Sequence, residues 1–110
     1  MKEIIFFTSS TWPYCKPAKE YLRKKGYKFI EKNIQTDVNA RQEMIKRGIT
    51  GVPSFIVGNE SFVGFDIDKL ETLIDYKIIN CPKCSQRMRI PKKKTKLRIK
   101  CKKCKNVFEI

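Results

Sequence analysis

The chain has 110 residues, a formal net charge of +14, five cysteines and no histidine. Without histidine, a Cys-His nucleophile pair and imidazole general-base catalysis are excluded, which removes most of the support for a hydrolase. No apolar run approaches the roughly 20 residues that a membrane-spanning helix needs, and no signal peptide is visible. We therefore expect a protein of the reducing cytoplasm that has no membrane partner.

Charge and cysteine content divide the chain into two parts. Residues 81–110 hold twelve Lys and Arg residues, a single acidic residue and four of the five cysteines, whereas residues 1–80 have a net charge of only +3. Residues 1–80 can bury a core, but a tail this short hides too little apolar surface without a metal or disulfides. We expect one domain over residues 1–77 and a second over residues 78–110, joined with almost no slack at residues 78–80.

The first 80 residues alternate between strand and helix patterns. Apolar runs and alternation predict strands, and acidic N-caps followed by glycine C-caps predict helices. The order β-α-β-α-β-β-α predicts a thioredoxin-like α/β sandwich with parallel first strands and a later hairpin. The predicted strands are residues 4–7, 27–33, 54–57 and 61–63, and the predicted helices begin near Pro13, Asp37 and Asp66 and end near Gly26, Gly48 and residue 74.

Three separated segments resemble motifs of one family. Residues 11–16, Thr-Trp-Pro-Tyr-Cys-Lys, resemble the glutaredoxin active-site segment, which usually reads Cys-Pro-Tyr-Cys at the start of the first helix. Residues 51–54 resemble the Thr-Val-Pro loop of that family, whose proline is cis. Residues 64–66 resemble the Gly-Phe element of NrdH-type redoxins more than the Gly-Gly pair of glutathione-dependent glutaredoxins. The resemblance covers residues 2 to about 76 and implies the thioredoxin-like fold.

The same resemblance implies an activity and a site. It implies exchange with protein or small-molecule thiols and disulfides, with electrons from a thioredoxin-reductase-like system or, with weaker support, from glutathione. The cis-proline backbone is expected to pair with an extended thiol substrate. The catalytic positions are Trp12 and Cys15, and the substrate-binding residues are Pro13, Tyr14, Val52, Pro53, Gly64, Phe65 and Asp66.

Residue 12 departs from the family pattern, because the attacking thiol of the family stands where this chain has Trp12. One interpretation is a site that has lost its chemistry while the fold serves as a binding module. A second is that the position natively holds selenocysteine or cysteine, since the selenocysteine codon UGA differs from the tryptophan codon by one base. A third is single-thiol chemistry by Cys15, expected about one helical turn further in, with Trp12 lining the groove.

The C-terminal part contains two Cys-x-x-Cys pairs separated by sixteen residues. Each pair forms a tight knuckle that presents two sulfurs, and two knuckles complete a tetrahedral site. We expect a small all-β zinc ribbon with strands over residues 87–90, 96–100 and 107–110, in which Zn²⁺ is structural. Two disulfides and an iron or iron–sulfur site are the alternatives. The expected ligands are Cys81, Cys84, Cys101 and Cys104.

The basic residues of the tail, including the run Lys92–Lys94, have two interpretations. They can be a solvated surface that is partly offset by the negative charge of four zinc-bound thiolates. They can also contact phosphates or an acidic protein. No base-reading helix accompanies them, so we expect at most weak, non-specific nucleic-acid binding. A non-catalytic adaptor, with a peptide in the proline groove and a protein or nucleic acid on the tail, is therefore the alternative to a redox enzyme.

Overall fold

The computed structural model describes residues 1–92 and 95–110, and these residues form two compact units. Residues Lys2–Ile74 form the first, which we call the sheet unit. Residues Asp75–Ile110, together with Met1, form the second, which we call the cysteine unit. In the part of the chain that is described, no helix combines the length and the apolar character needed to cross a membrane.

The sheet unit is a mixed four-stranded sheet with three helices. Its strand order is β2-β1-β3-β4, in which β1 is parallel to β2 and antiparallel to β3, and β3 is antiparallel to β4. The predicted element order and the thioredoxin-like fold are confirmed. The elements are β1 (Ile4–Thr8), α1 (Cys15–Lys25), β2 (Ile30–Asn33), α2 (Val38–Lys46), β3 (Ser54–Val57), β4 (Glu60–Val63) and α3 (Ile67–Leu73).

A ladder of aromatic rings runs across three strands of this sheet. Phe6 on β1 lies opposite Phe55 on β3, which lies opposite Phe62 on β4. Both pairs stack with ring centroids 5.1 Å apart, and Phe29 meets Phe6 edge-on at 6.1 Å. A one-residue slip in strand pairing would turn these rings to the opposite face of the sheet, so the ladder helps to set the register.

The helix ends follow the predicted caps. The Asp37 carboxylate accepts backbone hydrogen bonds at the start of α2, and Asp66 does the same for α3. Gly26 ends α1 with a left-handed φ of 78°. The next residue, Tyr27, donates its N–H back to the carbonyl of Leu22 at 3.0 Å. Residues 27–29 therefore complete the helix terminus, and the predicted strand over residues 27–33 is shortened to β2.

The cysteine unit consists of two antiparallel hairpins, β5 with β6 and β7 with β8. The strands are β5 (Tyr76–Asn80), β6 (Arg87–Pro91), β7 (Arg98–Lys100) and β8 (Val107–Glu109). The predicted all-β character is thus confirmed. Residues 78–80 were expected to be a linker, and this was wrong because they lie in β5 and pair with β6. The unit accordingly begins at Asp75, before the expected boundary at residues 77 and 78.

Glu43 on α2 binds Lys32 on β2 and lies 3.4 Å from Arg47, one turn further along the helix. The hydrogen bond from Lys32, followed by the positive charges of Lys32 and Arg47, lowers the pKa of Glu43 below its ordinary value of 4.5. A carboxyl whose pKa is lowered by folding stabilises the fold above its unfolded pKa. That stability is lost as the pH falls through the folded pKa.

We expect Glu43→Gln to destabilise the sheet unit by about 0.5 kcal/mol at pH 7, because the pair is partly exposed. The difference from the parent chain should shrink at an acid pH below the folded pKa of Glu43, where the parent carboxyl is protonated as well. Urea unfolding followed by the fluorescence of Trp12, the single tryptophan, reports on this unit. Glu20→Gln, at an exposed site on α1, is the control and should have little effect at either pH. An equal loss for both variants would contradict the role of the pair.

Candidate functional site

Three segments of the sheet unit meet at one end of the central strands of the sheet. Phe7 of β1 pairs with Ser54 of β3, so the loop that follows β1 and the residue that precedes β3 lie at the same end. The Val52–Pro53 peptide bond is cis, as predicted. The carbonyl of Pro53 accepts a hydrogen bond of 2.7 Å from the N–H of Gly64. The proline loop and the segment after β4 are therefore held together beside the loop that leads to α1.

Trp12 and Cys15 are the two ends of a tight turn. The N–H of Cys15 donates to the carbonyl of Trp12 at 3.3 Å, and α1 begins at Cys15. The expected helix start near Pro13 was wrong by two residues, because residues 13 and 14 belong to the turn. Cys15 is thus the first residue of α1 and not one turn inside it.

The side chains of this turn differ sharply in exposure. Trp12 is 55% exposed and Tyr14 is 66% exposed, whereas Cys15 is only 3% exposed. A reactive group at position 12 would consequently be open to a disulfide in solution. The thiol of Cys15 is almost inaccessible to a disulfide in solution. Accessibility, as much as thiolate fraction, decides which sulfur attacks first.

The other predicted groove residues have structural partners of their own. The ring of Phe65 meets Tyr21 of α1 edge-on, with centroids 5.7 Å apart. The carboxylate of Asp66 accepts the N–H of Lys69 at 3.1 Å and so caps α3. Asp66 therefore has a role in the fold that is independent of any substrate, and its role in binding stays a prediction.

A cavity beside the turn was not anticipated from the sequence. It has a volume of about 560 Å³ and lies among the β1–α1 loop, α2 and the segment before Pro53. The side chain of Ser9 joins two of its walls, because its hydroxyl lies 3.0 Å from that of Thr11 and donates to Gln35 at 3.3 Å. In the sequence, the only feature that pointed to this cavity was the run of small polar residues in the β1–α1 loop. The lining residues are Ser9, Thr11, Ile34, Gln35, Arg41, Met44, Ile45, Gly48, Ile49 and Thr50.

The four cysteines of the tail come together in the cysteine unit. All four Sγ atoms lie within 4.8 Å of one another, and two of the separations, Cys81–Cys104 and Cys84–Cys101, are 3.6 Å. These are free thiols and not disulfides. A tetrahedral zinc ion with Zn–S bonds of about 2.3 Å places its sulfurs about 3.8 Å apart. The donor set and its spacing therefore fit a metal ion held by four thiolates.

The two Cys-x-x-Cys knuckles repeat one backbone geometry. The N–H of Ser85 donates to the carbonyl of Cys81 at 2.9 Å, and the N–H of Lys105 donates to that of Cys101 at 3.0 Å. Both Ser85 and Lys105 have a left-handed φ, of 64° and 65°. This conformation is unusual for residues other than glycine. Its appearance at matching positions shows that the two knuckles share one backbone turn.

The thiols of the cluster perturb one another's ionisation. Burial acts to raise the pKa of Cys81, but the N–H of Cys84 and the adjacent sulfurs outweigh it and lower that pKa to about 6. The N–H of Cys104 lowers the pKa of Cys101 in the same way. The N–H of Gln86 acts to lower the pKa of Cys84, but burial and the three surrounding thiols raise it to about 12. Four thiolates therefore coexist here only when a cation neutralises them.

Comparisons with known proteins identify relatives of the sheet unit. Residues 4–63 match the glutaredoxin family. The chain is 33% identical over 75 residues to an uncharacterised glutaredoxin-like 8.6 kDa protein of the rubredoxin operon of Clostridium pasteurianum, which covers 66% of this chain and 97% of that protein. It is 39% identical over 67 residues to glutaredoxin 3 of Escherichia coli K12, which covers 60% of this chain and 81% of the relative.

A solved structure shows the same fold. NrdH-redoxin of Escherichia coli, described as a glutaredoxin-like protein with a thioredoxin-like activity profile, superposes with a TM-score of 0.59. The match covers 66% of this chain and 95% of the redoxin. The sequence identity is 24%, so this likeness concerns the fold. Because the family match spans more than half of its residues, the chain belongs to the glutaredoxin family.

Proposed function

We propose that the chain is a glutaredoxin-type thiol–disulfide oxidoreductase whose site is complete when residue 12 carries cysteine or selenocysteine. The observation that supports this most is the contrast within one turn, where position 12 is exposed and Cys15 is buried at the start of α1. That contrast suits a first group that attacks substrate and a second that resolves the product. Family membership supports the same activity.

The proposed exchange proceeds in two displacements. The thiolate or selenolate at position 12 attacks one sulfur of a substrate disulfide, which releases the other substrate sulfur as a thiolate that takes up a proton. The thiolate of Cys15 then attacks position 12, frees the first substrate sulfur and leaves a bond between residues 12 and 15. Two electrons from a glutathione or thioredoxin-reductase-like system restore the reduced site. The loop at the cis-proline orients an extended substrate through backbone contacts.

Tryptophan cannot perform the first displacement, so the identity of residue 12 decides the activity. We propose that UGA at codon 12 is decoded as selenocysteine in the source organism. Sequencing that codon, together with a mass spectrum of the natural protein, tests this directly. A UGG codon with no selenium in the protein would leave the adaptor function as the better account.

We expect Trp12→Cys to confer disulfide reductase turnover on the order of 1–10 per second, the range of ordinary enzymes. The new thiol precedes a helix N-terminus and should have a pKa below the usual value of about 8.5. Turnover is measured with NADPH and either glutathione with its reductase or thioredoxin reductase. Thiolate absorbance as a function of pH gives the pKa.

Two controls separate chemistry from packing in this experiment. Trp12→Ser removes the indole without adding a thiol and should stay inactive. Trp12→Cys combined with Cys15→Ser should accumulate a mixed disulfide, because the resolving thiol is missing. A folded Trp12→Cys protein that turns over with neither reducing system would eliminate the enzyme function.

For the cysteine unit we propose a structural zinc ribbon, so that the protein consists of a glutaredoxin-like domain and a zinc-ribbon domain. Cys81, Cys84, Cys101 and Cys104 would hold Zn²⁺. Two two-stranded sheets bury little apolar surface, so the metal would supply most of the folding free energy of this unit. Structural zinc sites in small peptides contribute about 10–16 kcal/mol at neutral pH. Four thiolates close the coordination shell, which suits a structural and not a catalytic ion.

We expect Cys101→Ser to lose bound zinc and unfold the cysteine unit, since a hydroxyl replaces one of four thiolates. Metal content per chain and amide hydrogen exchange of residues 75–110 measure this. Cys15→Ser is the matched control, because it removes the one cysteine outside the cluster, and it should retain the metal. If residues 75–110 stay protected in the presence of a strong chelator and reductant, the zinc proposal fails. If the purified protein contained iron and not zinc, the alternative of an iron site would be correct.

A non-catalytic adaptor is the second candidate function, and the exposed Trp12 favours it. In that case an extended peptide would occupy the proline groove, and the basic cysteine unit would bind protein or, weakly, nucleic acid. Of the basic run Lys92–Lys94, residues 93 and 94 lie outside the described residues. Both candidates place the protein in the reducing cytoplasm, where free thiols and zinc sites persist.

A further inference from the structure

A cleft opens within the cysteine unit between strands β6 and β7. Its volume is about 410 Å³, within the range of about 300–1,000 Å³ of ligand clefts. On one side it is lined by four consecutive residues of β6, Arg87 to Ile90, and on the other by Ile99 and Lys100 of β7. Alternate residues of a strand point to opposite faces. A cleft that touches consecutive residues therefore faces the edges of these strands and not one face of a sheet.

Each of these strands has a single partner in the part of the chain that is described. β6 pairs with β5, and β7 pairs with β8. Leu97 and Ile110 exchange two hydrogen bonds, of 3.1 and 3.2 Å, and Cys101 donates to Asn106 at 2.8 Å. In an antiparallel ladder bonded pairs alternate with unbonded ones. The N–H and C=O groups of Arg98 and Lys100, which lie between the bonded positions, are therefore directed away from β8.

The same alternation applies to β6. Cys81 donates to Gln86 at 2.9 Å and Lys92 donates to Asp75 at 3.1 Å, so the bonded positions of this hairpin are the even-numbered residues of β6. The backbone of Arg87 is directed away from β5. Its carbonyl accepts a 3.3 Å hydrogen bond from the adjacent side chain of Gln86, which an incoming strand can displace. Both margins of the cleft thus offer backbone groups for strand pairing.

Apart from Gln86, the side chains that line the cleft are basic or apolar. Arg87, Arg89, Lys100 and Lys102 contribute four cations, and the lining contains no acidic residue. Along β6, Arg87 and Arg89 occupy one face and Met88 and Ile90 the other. A strand that paired with β6 would meet cations on one of its faces and apolar groups on the other. Nucleic-acid bases would find no exposed aromatic ring to stack on in this lining, although such rings are the usual platform for single strands.

We propose that this cleft binds an acidic, extended peptide segment of a partner protein, which adds a strand between β6 and β7. Acidic side chains at alternate positions pair with Arg87 and Lys100, and the intervening apolar side chains contact Met88 and Ile90. This deepens the adaptor candidate and rests on a folded cysteine unit. It does not depend on the redox site, so a failure of the exchange activity leaves it standing.

The test uses the full chain and a fluorescent peptide of about eight residues that alternates Glu and Val, the length of an ordinary strand. Fluorescence anisotropy measures its dissociation constant. Three further probes are the corresponding Lys-Val peptide, a Glu-Val peptide N-methylated at every second residue, and a single-stranded oligothymidine of equal charge. We expect the Glu-Val peptide to bind, the Lys-Val peptide not to bind, and the methylated peptide to bind more weakly because one hydrogen-bonding edge is blocked.

Charge-reversal variants locate the site. Lys100→Glu and, on the facing strand, Arg87→Glu should each weaken binding about tenfold. Lys96→Glu makes the same charge change at an exposed residue outside the lining and should change affinity little. The proposal is overturned if the Glu-Val peptide does not bind, if the methylated peptide binds equally well, or if Lys96→Glu matches Lys100→Glu. Tighter binding of oligothymidine than of the peptide would assign the cleft to nucleic acid instead.

Discussion

The four close sulfurs of the cysteine unit are the constraint on which that smaller unit depends. Two hairpins of three to five residues per strand cannot enclose a core, and their best-buried side chains include Cys81 and Cys101 themselves. Bringing four thiols within 4.8 Å is unfavourable once more than one of them ionises. Only a cation converts this repulsion into attraction. In the proposed metal-bound unit, the ion would therefore hold the strand edges, the cleft and the basic surface in one defined arrangement.

The sheet unit has a different physical basis. Its register follows from stacked rings of Phe6, Phe55 and Phe62, which need no ion. That register places the end of β1 opposite the start of β3, and the hydrogen bond from Gly64 to Pro53 brings in the third segment of the site. The position of the redox site is thus a consequence of the core packing beside it. Changes at residue 12 can alter chemistry without disturbing the ladder.

Local rules predicted much of this fold. The helix ends were predictable at Asp37 and Asp66, because their carboxylates accept the unpaired N–H groups of the first turn. The end of α1 was predictable at Gly26, because a residue without a side chain easily adopts the left-handed conformation of a C-cap. The cysteine spacing predicted the cluster because a knuckle is also local. β5 was missed because residues 76–80 become a strand only through pairing with β6, a long-range contact. The start of α1 was misplaced because Pro13 fits a turn as well as a first helical residue. The cleft between β6 and β7 depends on which strand edges lack a partner strand in the described residues, and a short sequence pattern does not predict that.

The redox motif of this chain is incomplete, so the motif alone does not establish the activity. Proline, tyrosine and cysteine remain at residues 13 to 15, so a pattern search finds a redox site even though its attacking group is absent from the sequence as written. The geometry adds what the motif lacks. Cys15 is 3% exposed, so it cannot substitute for the missing group by meeting a bulky disulfide itself. An exposed position 12 is useful either to a nucleophile or to an aromatic contact with a bound chain. Because the side chain at position 12 is largely exposed, its chemical identity, and not the fold around it, decides between the two proposed functions.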